Sequence, residues 1–187
     1  MNRKIVYFEN PGESNTDDTL RIARERAAEM GIETVLVAST RGHTGAKAAE
    51  VFEGFNLVVV SHSTGFARPD YQQLTAENRE LIESRGGTIL TTTHAFAGVS
   101  RAMRRKLETC GVGDLVAQTL RIFGEGMKVC CEIALMAADS GLARTDEQVI
   151  AVAGTGRGAD TAVVLKPVHA QDFFELRIQE ILCKPHF

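Results

Sequence analysis

No stretch of this 187-residue chain comes near the roughly 20 consecutive apolar residues that cross a bilayer, so a helical membrane span is excluded. The opening Met1-Asn2-Arg3-Lys4 leads into a short strand instead of the apolar core of a secretion signal, and a cytoplasmic location is the expectation. Excess positive charge is also missing. With 21 Lys and Arg against 24 Asp and Glu, the net charge of −3 removes the broad basic footprint of a nucleic-acid binder. Neither nucleic acid nor membrane is expected as a partner, and the local cluster Arg101, Arg104, Arg105 and Lys106 reads as a solvated helix face. Cysteine is sparse: Cys110, Cys130, Cys131 and Cys183 lack paired metal-ligand spacing and read as buried free thiols. Adjacent Cys130 and Cys131 in a helical pattern point to opposite sides of that helix. Repeats, linkers and low-complexity tracts are absent, and one domain spanning 1–187 is expected.

What is present alternates. Strand-like runs at 5–8, 34–38, 57–60 and 88–92 are separated by helical patterns at about 17–30, 46–52 and 76–85. Gly31 and Gly86-Gly87 stop the first and third helices. The strands are almost continuously Val, Ile, Leu or Thr, as strands covered on both faces require. A long helical tract from about Leu115 to Ala138 breaks near Gly124 and Gly126 into two helices. The second is apolar nearly all round and carries Lys128 and Glu132 four residues apart, either a structural clamp or part of a site, the clamp being favoured. Strands at 149–153 and 161–165 and a terminal helix at about 170–182 complete the pattern. Parallel strands covered by helices on both faces predict a three-layer α/β/α sandwich.

In such sheets ligands collect at the carboxyl ends of the strands. Here those ends carry Ser39, Thr40, Arg41, Gly42, His43 and Thr44, then Ser61 and His62, then Thr93 and His94, and finally Gly154, Thr155, Gly156, Arg157 and Gly158. Hydroxyls, an arginine and backbone N–H groups at a helix start suit a phosphate, although Ser, Thr and Gly also populate such turns simply as helix caps. The glycine loop G-T-G-R-G-A-D precedes a strand where a dinucleotide fingerprint would precede a helix, so a dinucleotide fold does not follow. Arg157 reads either as a phosphate clamp or as the exposed tip of a hairpin. G-K-[ST] and G-x-S-x-G are both missing, which removes a P-loop NTPase and a nucleophile-elbow hydrolase. His62 and His94 can carry protons near neutral pH, but the carboxylate-rich spacing of a zinc or magnesium centre does not accompany them, and no metal is expected.

The segment V-L-V-A-S-T-R-G-H-T-G-A-K-A-A from Val35 resembles the phosphate-holding loop of the C-terminal α/β domain of pyruvate kinases, which receives a phosphate of a sugar-bisphosphate effector. G-T-G-R-G-A-D-T-A-V-V-L from Gly154 resembles the glycine-rich segment that closes the same pocket. Y-F-E-N-P-G at Tyr7, S-H-S-T-G-F at Ser61, T-H-A-F-A-G-V at Thr93 and K-V-C-C-E-I-A-L-M-A-A-D-S-G at Lys128 extend the likeness over nearly the whole chain. They resemble a family of small stand-alone proteins built on that domain without the catalytic barrel. The resemblance implies a mostly parallel mixed sheet whose final strand is antiparallel, and a pocket for a phosphorylated ligand, with FMN a candidate. Pyruvate kinase chemistry is not implied, since the metal and substrate site belongs to the barrel. His43 departs from the small or acidic residue expected in the loop and opens phosphate affinity to pH. Two functions are therefore expected: a binding module for a phosphorylated small molecule such as FMN, or an enzyme. The enzyme would be a flavin-dependent oxidoreductase or a phosphate-ester hydrolase with His62 or His94 as proton carrier. A homo-oligomer is compatible with either.

Overall fold

The computed structural model describes residues 4–186; Met1, Asn2 and Arg3, read above as the lead-in to the first strand, lie outside them. Seven strands form one sheet in the order β1-β7-β6-β5-β2-β3-β4. In chain order they are β1 (Val6–Phe8), β2 (Thr34–Ala38), β3 (Asn56–Ser61), β4 (Thr88–Thr91), β5 (Val149–Ala153), β6 (Thr161–Lys166) and β7 (Arg177–Pro185). Only β6 runs against the rest: it is antiparallel to both β5 and β7, whereas β1 lies parallel to β7. The antiparallel strand is thus the last of those expected but not the last of the chain.

Strand alternation builds two cores. Val35, Val37, Ile150 and Val152 face α1 (Thr16–Met30), α2 (His43–Val51) and α3 (Ala76–Ser84), where Leu20, Ala23, Ala48, Phe52 and Ile82 meet them. Leu36, Val58, Ala151 and Val163 face α6 (Glu125–Asp139) through Met127, Cys130, Ile133 and Ala137. Behind α6, α5 (Val112–Arg121) packs with Ala117 against Cys131 and Leu135 in a third cluster. The two neighbouring cysteines accordingly enter different cores. Burial pushes the Cys130 thiol well above its ordinary range and those of Cys131 and Cys183 up to about 12, so all three are inert as nucleophiles. Cys110, expected among them, is exposed instead, in the turn between α4 (Gly98–Leu107) and α5.

One element is reassigned. The expected helix at 170–182 is a short 3-10 segment, Ala170–Glu175, followed by the nine-residue strand β7. Apolar residues at 174, 178, 181 and 182 satisfy helical spacing, yet Ile178 and Ile181 are β-branched and the segment pairs on both sides, with β1 and β6. Two ladders outweigh a weak local preference. α4 is a different surprise, since none of its residues is buried. Val99, Met103 and Leu107 point to solvent at 78%, 38% and 63% exposure, while Arg101 and Arg104 turn inward.

Candidate functional site

Because β1 to β5 are parallel to one another through the sheet, their carboxyl ends share one edge. There a cleft of about 820 Å³ opens between the strand ends and α4, α5 and α6. That lies within the usual range of small-molecule sites. Of the residues expected from sequence, Ser39, Thr40, Arg41, His43, Thr44, Ser61, His62, His94, Gly154, Gly156, Arg157 and Gly158 line it; Gly42, Thr93 and Thr155 do not.

The loop entering α2 is held from behind. Ser39 Oγ accepts the Gly45 N–H at 3.0 Å, and the Arg41 carbonyl accepts from Asn78 Nδ2 at 2.9 Å and from the Thr75 N–H at 3.3 Å. Gly42, at φ 99°, serves this packing and not the approach of a ligand: a Cβ there would lie 2.4 Å from Asn78 Cβ and 2.6 Å from Leu74 Cδ1. With Ser39 committed and Gly42 turned away, the groups left facing the cleft are Thr40, Arg41, His43, Thr44 and, a turn further on, Lys47. The first turn of α2 holds no acidic residue and its N-cap, Gly42, has no side chain to cap it, so apart from the Gly45 N–H held by Ser39 its positive end is left open.

Past β5 the glycine segment is a hairpin into β6, and its base is fixed. Asp160, fully buried, accepts the Gly12 and Thr155 N–H groups on Oδ2 at 2.9 and 3.0 Å and the Thr161 hydroxyl on Oδ1 at 2.8 Å. Thr155 is drawn into this clip and out of the cleft. A Cβ on Gly158 would lie 2.4 Å from Glu13 Cα, so the hairpin leans on the start of α1, leaving exposed Arg157 at the rim. Ser61 is likewise structural, sharing a 2.6 Å bond with Thr91, and Thr93 faces solvent.

The two histidines stand side by side, ring centroids 5.1 Å apart, with Phe66 against both at 4.1 and 5.0 Å. Gln73 Oε1 lies 2.9 Å from His62 Nδ1 and the Thr40 hydroxyl 3.3 Å from Nε2; with the amide oxygen accepting, the tautomer protonated on Nδ1 leaves Nε2 to accept from Thr40. Gln72 also donates to the His62 carbonyl at 2.9 Å. Burial lowers the His62 pKa below its ordinary 6.5, more than Gln73 raises it. His94 Nε2 accepts the Ser63 N–H at 3.4 Å, and its Nδ1 faces Glu132 Oε2 at 3.7 Å.

Glu132 joins the site that the sequence separated from it. It is paired with buried Lys128, as the clamp reading has it, but both residues lie in the cleft wall, and Glu132 also accepts the Phe96 N–H at 3.1 Å. Burial pushes the Glu132 pKa up, and the bond from His94 with the charge and bond of Lys128 outweigh it, holding it at about 2.

Cations dominate what is uncommitted. Lys47 pairs with Asp17, Arg104 with Asp114, Arg121 with Glu125 and Lys128 with Glu132. Arg41, Arg101 and Arg157 line the cleft without an acidic partner among the described residues. The Arg101 guanidinium lies 3.9 Å above the Phe66 ring, its pKa lowered by burial and then by Arg105 and Arg104. Gln73, Phe66 and Lys47 left no signal in the sequence. Arg101, expected on a solvated helix face, is instead half-buried in the cleft wall, because the apolar Val99, Met103 and Leu107 recur at helical spacing on the other, outward face.

A mostly parallel sheet between helical layers, with a cleft at the carboxyl ends of its strands, defines an α/β domain. The chain belongs to the pyruvate kinase alpha/beta domain family, whose model matches residues 17–165. Among solved structures it is similar to pyruvate kinase from Cryptosporidium parvum, determined in complex with ADP, at 13% identity and a TM-score of 0.41. That match covers 83% of this chain and 23% of the other, so the chain spans under a quarter of that relative's length. Among the described residues no helix is long and apolar enough to cross a membrane.

Proposed function

We propose that this protein binds a phosphorylated small molecule in the cleft, with the phosphate at the start of α2 and FMN as the candidate ligand. The observation that carries the reading is the acid-free start of α2 facing the same cleft as Arg41, Arg101 and Arg157, three guanidinium groups without an acidic partner among the described residues. Such charges gain most from an anion that brings its own counter-charge into a partly dry site. The rest of the cleft suits an organic body: Val60, Phe66, Phe96, Ile133 and Met136 line it beside the two imidazoles. A flavin would present a broad apolar face to that wall and a phosphate to α2, which is the division of chemistry the lining offers. The flavin's redox chemistry would be its own; the residues named here bind and orient.

The test is direct. Protein purified without added ligand is examined for flavin absorbance, then titrated with FMN and riboflavin by calorimetry. Tight FMN binding with much weaker riboflavin binding supports the reading, and equal affinities or none would overturn it. A second reading, a phosphate-ester hydrolase with His62 as proton carrier, draws on the bonded chain from Thr40 through His62 to Gln73.

A further inference from the structure

That chain has an order the binding reading does not need. Thr40 follows β2 directly and stands two residues before the N-cap of α2, so its hydroxyl borders the place where the phosphate would rest. His62 comes from the end of β3, and Gln73 from the segment before α3. Three separate elements thus bring a hydroxyl, an imidazole and an amide oxygen into one hydrogen-bonded chain, at 3.3 and 2.9 Å. The imidazole is fixed beyond what a helix-capping histidine requires: Gln72 holds its backbone, Gln73 its Nδ1–H, and Phe66 one face. With Nδ1 engaged by an acceptor, Nε2 can only receive a proton, and the hydroxyl it faces is that of Thr40.

We propose that Thr40, His62 and Gln73 form a nucleophile, base and orienting group that transfer the phosphoryl group of a bound phosphate monoester to Thr40 and then to water. The proposal rests on the phosphate lying at the start of α2. In the first step Thr40 Oγ bonds to phosphorus as its proton passes to His62 Nε2. The phosphorus–ester oxygen bond breaks, and the departing alcohol takes that proton. In the second step water attacks phosphorus, its proton passes to His62 Nε2, and Thr40 Oγ leaves, recovering the proton. The sum is ester plus water to alcohol plus inorganic phosphate, with the protein unchanged. Thr40 and His62 are catalytic residues, and Gln73 is a positioning residue that keeps Nε2 the accepting nitrogen. Arg41 and the α2 start would stabilise charge growing on the phosphoryl oxygens.

The experiment uses p-nitrophenyl phosphate as probe, following nitrophenol release and, after acid quench, the mass of the intact protein and its peptides. Wild type should gain one phosphoryl group on Thr40 and turn over. Thr40→Ser should keep the label, while Thr40→Val should lose it and fall more than about 100-fold in turnover. His62→Gln should fall by about 10²- to 10⁴-fold. Gln73→Glu places a carboxylate on Nδ1 and should move the acid limb of the rate profile to higher pH, against the background of His94, Glu132 and Arg101 that also face His62. A merely structural Gln73 would leave that limb in place. Binding of inorganic phosphate is measured in parallel: if phosphate binds but Thr40 is never labelled and turnover is unaffected by Thr40→Val, the relay is wrong while the binding reading stands. If phosphate does not bind at all, the binding reading fails with it.

Discussion

Glu132→Gln is the most informative single change, because it separates the charge of the carboxylate from its shape. Lys128 and Glu132 are only 7% and 3% exposed, so removing the negative partner leaves a buried ammonium uncompensated, which costs about 3–5 kcal/mol. The glutamine retains an oxygen for the Phe96 N–H, so that bond is spared. A separate route gives a similar magnitude. A carboxyl held at about 2 against an ordinary 4.5 contributes about 3 kcal/mol of stability at neutral pH. Because its folded pKa is depressed, this contribution is complete above pH 4.5 and is lost as pH falls from there through about 2. Urea unfolding at neutral pH should therefore show Glu132→Gln less stable by about 3 kcal/mol, and the variant should lack the wild type's extra decline in that acid window. Adding Lys128→Met removes the stranded charge and should restore at least half of the loss. A loss below about 1 kcal/mol, or no recovery in the double variant, would refute the buried-pair argument.

Arg157→Ala should weaken FMN by about tenfold and leave riboflavin nearly unchanged in calorimetry, because only the phosphate offers the guanidinium a partner. Gly42→Ala should lower thermal stability by about 2 kcal/mol or more, since it combines positive φ with a clash on Asn78 and Leu74; this is measured by calorimetric unfolding. Asp160→Asn, which replaces one of the accepting oxygens with a donor, should loosen the β5–β6 hairpin and be seen as faster limited proteolysis after Arg157. In an NMR titration the His62 imidazole should titrate below 6.5, and a bound phosphate should move it upward, because a nearby anion favours the imidazolium.

The order of strands and helices up to β6 was legible because each strand is a continuous apolar run and each helix keeps its period. β7 was not, because its apolar spacing fits both periods and only its neighbours on the sheet decide between them. The site was legible as a set of strand ends. What could not be read was the direction in which individual residues look: Gly42 turns to α3, Ser39 to Gly45, Thr155 into the Asp160 clip. Gln73 comes from an irregular stretch with no pattern of its own, and only the folded chain brings it to His62. The division of Lys128 and Glu132 into clamp or site dissolves because a pair one helical turn apart can hold α6 and still wall a cleft.

α4 is attached to the body of the protein by the wrong side for a helix in water. Arg101 and Arg104 line the cleft, burial and then Arg105 and Arg104 depress the Arg101 pKa, and the helix's aliphatic stripe is left wet. An anion bound in the cleft as proposed would supply Arg101 with the acidic partner it lacks among the described residues, so occupancy and the order of this helix would be thermodynamically linked. The empty protein should exchange the α4 amides early and the loaded one late, and anything that covers Val99 and Leu107 from outside would tighten the ligand by the same factor by which the ligand tightens the cover. On that reading the helix would be a latch whose keeper is the bound charge.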